Sequence, residues 1–252
     1  ILTKQSPLRT RGGGIKHQKI YLNPMMNYKN ILTFFLFMGV SLLFAQEPIP
    51  IDKKYTKATD RLVKNKKLKA AFTTIEALES KTMERHIALT EIEAPPFKEA
   101  KRAAAFADYF NQLGMDSVWI DSEGNVLGLL KGSEGVQTVA LDAHLDTVFP
   151  EGTDVKVKIK NDTLYAPGIG DDTRGLTMLL TLLETLKTNQ IQPKDNVLFV
   201  GSVGEEGLGD LRGVKHLFRE GGPRIDSWIA IDGGSIGRVN NKALGSYRYR
   251  VT

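Results

Sequence analysis

Hydrophobic positions recur at helical spacing in three parts of the chain. Residues 53–92 are rich in Lys, Ala, Leu and Glu and are predicted to be helical, up to the break at Pro95 and Pro96. A second helix, ending at Gly114, is predicted by apolar residues at steps of three and four, namely Ala103, Phe106, Phe110 and Leu113. A third is predicted by a leucine stripe, namely Leu176, Leu179, Leu180, Leu183 and Leu186.

Short apolar runs between these helices predict strands. The predicted strands cover residues 117–120, 125–130, 138–143, 155–159, 163–165, 197–203 and 228–231, and residues 209–219 are predicted to form a further helix. Apolar strands that alternate with helices are typical of an α/β protein with a layered, parallel sheet. In such sheets, ligands bind at the carboxyl ends of the strands.

The N-terminal region has the pattern of a secretory signal peptide. Lys29 precedes an apolar run over residues 31–44, and the small residue Ala45 follows it. A buried helix and a membrane anchor are the alternatives. We expect residues 25–45 to be the signal peptide and residues 1–24 to be upstream sequence, with translation starting at Met25 or Met26. The mature protein is then expected to be periplasmic or secreted, without stable membrane association.

Composition excludes several classes of protein. The 252 residues are 41% hydrophobic and 25% charged and include no cysteine, which excludes disulfides, cysteine–zinc sites and iron–sulfur clusters. The formal charge of +5 comes from residues 1–45, which hold six basic residues and no acidic one. The remainder has 28 basic and 29 acidic residues, so it lacks the basic surface of a nucleic-acid-binding protein.

Four clusters of imidazole and carboxylate groups stand at predicted strand ends or in glycine-rich turns. Charges at such places are costly to bury unless they are paired or bind a metal. No basic cluster balances them, so they predict a cation site. The clusters are His144-Leu145-Asp146, Asp171-Asp172, Glu205-Glu206 and Asp232.

These residue types suit zinc. Imidazole nitrogen and carboxylate oxygen bind Zn²⁺ at about 2.0–2.2 Å. A carboxylate can bridge two ions, which together activate a shared water molecule. Adjacent residues of an extended segment point in opposite directions, so one of Glu205 and Glu206 can bind metal while the other acts as general base.

The motifs HLDTVFPEG, APGIGDDTRG, GSVGEEGLGD and AIDGG, in this order, resemble those of the co-catalytic di-zinc metallopeptidases. This is the family of carboxypeptidase G, peptidase T, aminoacylase and succinyl-diaminopimelate desuccinylase. The resemblance runs from about Ile92 to the last residue. It implies a three-layer α/β/α sandwich of the zinc-peptidase type, incomplete at the C-terminus, with the start of an α+β lid domain.

The resemblance also implies a role for each motif residue and a cofactor of two Zn²⁺ ions. Asp146 orients His144, and the peptide bond after Asp171 is often cis in this family. Glu205 is the general base. The metal ligands are His144 and Asp232 on one zinc, Glu206 on the other, and Asp171 between them. The family pattern x-Lys-Gly-Gly after Asp171 is replaced by Asp172-Thr173-Arg174-Gly175, which puts the substrate preference in doubt.

The resemblance further implies that the chain is an N-terminal fragment. Residues 46–241 correspond to the first part of the catalytic domain, and residues 242–252 to the first strand of a lid domain through which a homodimer could form. A late histidine ligand is expected beyond Thr252, so the second zinc site is incomplete. We expect the segment alone to be weakly active or inactive.

The expected function is zinc-dependent hydrolysis of amide bonds in short peptides by a metal-bridging hydroxide, with Glu205 as general base. The enzyme would be an exopeptidase of the di/tripeptidase or carboxypeptidase type. The alternatives are an N-acyl-amino-acid deacylase of the same family and a non-catalytic truncated relative. The expected partner is a small peptide or N-acyl amino acid.

Other polar residues receive ordinary structural interpretations. His86 stands in a charged helical stretch and is expected at the surface, and His216 is not expected to bind metal. Asp142 is expected to pack near the site without binding metal, and Asp172 to play a structural role. The glycines of residues 168–170 lack the Gly-Lys-Ser/Thr that a phosphate loop requires.

Overall fold

The computed structural model describes residues 51–234 and 237–242. The chain divides into two compact units, residues 1–57 and 58–252, and the fold described below is that of the second. The predicted upstream segment, the signal peptide and, apart from Lys242, the predicted lid strand lie outside the described residues. None of the helices in the described ranges is long and apolar enough to cross a bilayer.

Six α-helices are present among the described residues. The segment predicted as one helical run is three helices, because Asn65 accepts a hydrogen bond from the Lys67 amide at 2.9 Å and caps the second of them. The helices are α1 (Lys53–Lys64), α2 (Lys66–Ala77), α3 (Glu79–Thr90), α4 (Ala100–Gln112), α5 (Thr173–Thr188) and α6 (Arg212–Leu217).

Seven strands form two sheets in the same part of the chain. They are β1 (Ser117–Ile120), β2 (Val126–Leu130), β3 (Thr138–His144), β4 (Lys158–Lys160), β5 (Thr163–Tyr165), β6 (Asn196–Ser202) and β7 (Ser227–Ala230). The larger sheet has the order β1-β2-β6-β3-β7, and β4 pairs with β5 in a separate ribbon. Strands β6, β3 and β7 run parallel, whereas β1, β2 and β6 are antiparallel neighbours.

The predicted α/β class is confirmed, but the prediction of a parallel sheet holds only for β6, β3 and β7. Residues 121–125 connect β1 to β2, and a link this short can join only antiparallel strands. The predicted strand over 155–159 is shorter and later, as β4. The predicted helix over 209–219 is reduced to a 3₁₀ turn, Gly207–Gly209, and α6, because Asp210 and Leu211 have positive φ angles of 54° and 53° between them.

The sheet separates two apolar clusters. Successive side chains of a strand point to opposite faces, so the strands contribute apolar side chains to both clusters. On one face, α4 and α5 cover the larger cluster, with Phe106, Phe110 and Phe199 fully buried. On the other face lies a smaller cluster of Leu127, Ala140, Leu198, Val200 and Leu217. Helices α2 and α3 pack against α5. Apolar side chains therefore pack on both faces of the parallel strands. The carboxyl ends of these strands lead into the loops that follow.

Candidate metal centre

The predicted metal ligands come together at the carboxyl ends of the three parallel strands. His144 is the last residue of β3, Glu206 follows β6, and Asp232 follows β7. Asp171 lies in the turn between β5 and α5. Because parallel strands end at the same edge of a sheet, residues distant in sequence meet there.

The donor atoms are close enough to share cations. The Nε2 atom of His144 lies 2.8 Å from an oxygen of Asp171 and 3.8 Å from one of Asp232. In the described part of the chain, the group that could hold a metal ion is His144, Asp171 and Glu206, whose donor atoms all lie within 4.8 Å of one another. One imidazole and several carboxylates match the nitrogen and oxygen donors that zinc accepts.

The imidazole of His144 is held by the backbone. Its Nδ1 atom lies 3.0 Å from the carbonyl oxygen of Asp146, whereas the nearest carboxylate oxygen of Asp146 is 3.7 Å away. The main-chain N–H of His144 donates to a carboxylate oxygen of Asp172 at 3.1 Å. Because Nδ1 faces this carbonyl oxygen, Nε2 faces the carboxylates of Asp171 and Asp232.

The Asp146 carboxylate, which is expected to orient His144, also accepts hydrogen bonds from two backbone amides. The N–H groups of Glu205 and Glu206 donate to its two oxygens at 3.0 and 2.9 Å. Asp146 is fully buried, and these bonds join the end of β3 to the turn after β6. Its contact therefore fixes where the two glutamates stand relative to His144.

Asp172 links the site to α5. Its side chain accepts the Gly175 amide at 3.0 Å as the N-terminal cap of the helix, and its second oxygen accepts the His144 amide. Burial raises the pKa of Asp172 to about 8. The peptide bond between Asp171 and Asp172 is cis, as the family resemblance implies.

Thr173 occupies the place of the family lysine and is fully buried. Its hydroxyl lies 3.0 Å from the carbonyl of Gly168 and 2.7 Å from the hydroxyl of Thr90 on α3. The residue holds the turn that precedes Asp171, while its neighbour Arg174 is exposed. The departure from the family pattern thus leaves the metal-ligand turn supported.

The electrostatics of the site call for a cation. Burial lowers the pKa of His144, but its contacts with Asp146 and Asp232 outweigh burial and raise the pKa to about 12. Burial also raises the pKa of Glu206, and the charge of Asp171 raises it further. The carboxylates exceed the positive charge available from the protein itself, so the donor set fits divalent metal.

Glu205 is half-buried beside these donors and is not part of the metal-binding group. Burial raises its pKa, and the charge of Asp232 acts in the same direction. A carboxyl group with this shift exchanges protons nearer to neutral pH than an exposed one, which suits a general base.

Residues outside the predicted ligand set fall into three cases. The surface prediction for His86 is wrong, because it is buried and its Nε2 lies 2.7 Å from the Ile169 carbonyl, close to Asp171. His216 lies near Ser122, outside the metal-binding group of the described residues. Asp142 is buried near the site, where Ser202 donates to it at 3.1 Å and burial raises its pKa to about 7.

Comparison with known proteins identifies the class. Residues 140–251 match the model of peptidase family M20/M25/M40. Carboxypeptidase G2 from Pseudomonas sp. (strain RS-16) is 31% identical over 84 residues, which are 32% of this chain and 20% of that protein. These matches confirm the predicted resemblance to this metallopeptidase family over residues 140–251.

Two solved structures share the fold. A tripeptidase from Staphylococcus aureus subsp. aureus Mu50 has a TM-score of 0.52 and 29% identity, covering 62% of this chain and 44% of its own. The aminopeptidase PepT from Bacillus cereus ATCC 10987 has a TM-score of 0.53 and 27% identity, with the same coverage of 62% and 44%. The chain spans less than half the length of each of these three relatives.

Proposed function

We propose that this chain carries the metal-binding part of a zinc-dependent peptidase that hydrolyses amide bonds in short peptides. The observation that carries the proposal is the convergence of His144, Asp171 and Glu206, with donor atoms within 4.8 Å, beside the half-buried Glu205. A scaffold protein has no need of a half-buried carboxylate next to a cluster of metal donors.

The proposed ligand set holds two zinc ions. His144 and Asp232 would hold one ion and Glu206 the other, with Asp171 available to both. When bound, the ions polarise the scissile carbonyl and acidify a water molecule between them. The distance of 3.8 Å between Nε2 of His144 and an oxygen of Asp232 is short enough for both atoms to bind one ion.

In the proposed reaction, Glu205 accepts a proton from the attacking water. The water oxygen forms a bond to the scissile carbonyl carbon, and the carbon–nitrogen bond then breaks. Glu205 passes the proton to the departing amine, so that the carboxylate is regenerated. The Asp146 carboxylate supports this step by holding the Glu205 amide at 3.0 Å.

The proposed substrates are short peptides cleaved from one end. The carboxylates of Asp171 and Asp232 are each 56% exposed, so the donors face an open edge of the sheet. The names of three relatives, a tripeptidase, an aminopeptidase and a carboxypeptidase, support exopeptidase action. Parallel assays on N-acyl amino acids distinguish this activity from deacylation.

We also propose that the protein is exported, on the signal-peptide pattern of residues 25–45. Expression of the full-length gene with its native leader tests this part alone. Export predicts a mature protein that starts near Gln46 and is recovered in the periplasm or medium. Recovery of the unprocessed chain in the cytoplasm would contradict it.

The decisive experiment compares Glu205→Gln with wild type in the full-length protein, loaded with zinc. We expect kcat on di- and tripeptides to fall by about 100- to 10,000-fold, with bound zinc unchanged. Glu220→Gln, which removes an exposed carboxylate, is the matched control and should behave as wild type. If zinc-loaded wild type hydrolyses neither peptides nor N-acyl amino acids, the protein is a non-catalytic relative and the proposal fails.

A further inference from the structure

A half-buried arginine joins three segments of the chain beside the turn that carries Glu205 and Glu206. Arg212, the first residue of α6, has a side chain that is only 18% exposed. Its Nη2 atom donates to both carboxylate oxygens of Glu99 at 2.9 Å, and its Nε atom lies 3.0 Å from a carboxylate oxygen of Glu123. The ring of Phe97 lies 4.6 Å from its Cζ atom. The side chain is thus fixed from several directions.

The same guanidinium lies directly against Gly204, the residue before Glu205. A Cβ atom at Gly204 would overlap Nη1 of Arg212 and lie 2.9 Å from its Cζ atom. Gly204 has a φ of +67°, a conformation that glycine adopts without steric cost. The glycine therefore lets the main chain rest on the arginine just where it turns toward Glu205.

The position of Arg212 is itself secured by a second set of contacts. The amide of Gly213, the next residue, donates to the carbonyl of Val203 at 3.0 Å. The side chain of Asn125 accepts the Val203 amide and donates to the Gly213 carbonyl, both at 3.0 Å. These bonds keep the start of α6 and the end of β6 at one separation.

The turn is held on its other side by Asp146, which accepts the amides of Glu205 and Glu206. Arg212 and Asp146 therefore contact consecutive residues of one short segment. The Nη1 atom of Arg212 is buried and has no hydrogen-bond partner among the described residues, so the contact with Gly204 is one of packing. A side chain of different shape would leave the turn without that support.

We propose that Arg212, anchored by Glu99, is a positioning residue that sets the place of Glu205 relative to the metal donors. The inference rests on the proposed function, in which Glu205 is the general base. Arg212 contacts the main chain beside Glu205 and acts through it. Loss of the guanidinium lets the turn shift, and a displacement of about 1 Å can lower the rate about 100-fold.

The first test measures kinetics in the zinc-loaded full-length protein. Arg212→Met should lower kcat by about 10- to 100-fold and leave KM and bound zinc within about twofold of wild type. Arg212→Lys keeps the positive charge but lacks the planar guanidinium group, and it should recover part of the loss in kcat. Lys215→Met is the control on the same helix, since this exposed lysine pairs with the exposed Asp210, and it should keep wild-type kcat. A wild-type kcat in Arg212→Met would overturn the proposal.

The second test measures amide hydrogen exchange in the chain itself, without any reaction. Arg212→Met should speed exchange at Glu205 and Glu206 by about tenfold or more, while the amides of β3 keep their wild-type rates. Equal exchange in both proteins, or uniform acceleration throughout the chain, would overturn the positioning role. If Arg212→Met does not fold, Glu99→Gln weakens the same anchor and is expected to give the same local pattern.

The two tests separate this inference from the function on which it rests. If Glu205→Gln abolishes turnover and Arg212→Met does not reduce it, the base assignment stands and the positioning role is refuted. If Glu205→Gln remains active, the proposed function is refuted. The exchange experiment then still decides whether Arg212 holds the turn.

Discussion

The metal centre has two parts that differ in how firmly they are held. We call Asp171, Glu206 and Asp232 the rim, and His144, Asp146 and Asp172 the frame. Two of the rim side chains, those of Asp171 and Asp232, are 56% exposed, whereas every frame residue is at most 3% exposed. The carboxylates of Asp146 and Asp172 accept hydrogen bonds from main-chain amides of other segments, and the imidazole of His144 lies 3.0 Å from the carbonyl oxygen of Asp146.

The frame and the rim therefore have different roles. The frame ties the ends of β3 and β6 and the start of α5 together, so it contributes to stability whether or not metal is present. The rim concentrates more negative charge than His144 alone can neutralise, which in the proposed function serves binding and catalysis at some cost to the metal-free fold. Substitutions in the two parts should therefore have opposite signatures.

A substitution in the rim should change activity more than any other variant considered below. In the full-length protein, Asp171→Asn removes the carboxylate between the two zinc sites and should lower kcat/KM by about 1,000-fold or more, with less zinc bound. The metal-free variant should be at least as stable as wild type, because repulsion of Glu206 is relieved. Activity, zinc content and metal-free melting temperature check the three parts. Wild-type zinc content would contradict the rim assignment.

The next effect is on stability, from the frame. Asp146→Ala leaves the amides of Glu205 and Glu206 without an acceptor. We expect unfolding free energy in urea and EDTA to fall by about 3 kcal/mol, from two hydrogen bonds to a charged acceptor. Asp171→Asn under the same conditions is the matched rim variant. A loss for Asp146→Ala no greater than that of the rim variant would remove the distinction between the two parts.

A smaller effect is expected at the helix cap. Asp172→Ala removes the bonds to the Gly175 and His144 amides and should cost about 1.5 kcal/mol in the same urea experiment. Asp172→Asn keeps an acceptor at the cap and should recover about half of the loss. Equal losses in the two variants would show that the cap bond is not what Asp172 contributes.

The smallest effect is a pH dependence next to the rim. Burial lowers the pKa of His86, so below about pH 6.5 the unfolded chain binds a proton that the folded chain resists. Stability should therefore fall as the pH drops from 7.5 to 5. His86→Gln, which can still donate to Ile169, should lose about 1 kcal/mol less over that range. Urea unfolding at both pH values measures this, and parallel losses in the two proteins would contradict it.

Much of the site could be predicted because strand ends are visible in the sequence. The apolar run that forms β3 ends at His144, and the run that forms β6 is followed closely by Glu206. Alternation and helical spacing depend only on neighbours in the chain, so they also gave the elements of the α/β fold. The antiparallel pairing of β1 with β2 had a signal in its short connection, which outweighs the general expectation of parallel strands.

The supporting contacts could not be predicted because they depend on distant partners. His86 stands among charged residues, which usually mark an exposed face, yet its neighbour Arg85 is buried through an ion pair with Glu184 at 2.5 Å. Arg212 and Glu99 likewise meet only in the folded chain. No pattern in the sequence near Asp146 indicates that its carboxylate accepts hydrogen bonds from the amides of residues 205 and 206.

The donors come from four separate segments, around residues 144, 171, 206 and 232, and this couples metal supply to the lifetime of the fold. An unfolded chain does not hold these groups together, so zinc bound as proposed would favour the native state and shift the equilibrium toward it by mass action. Withdrawing zinc from the surroundings would then shut down chemistry and loosen the molecule at once. A cell that limits its supply of zinc would thereby also limit the amount of folded protein.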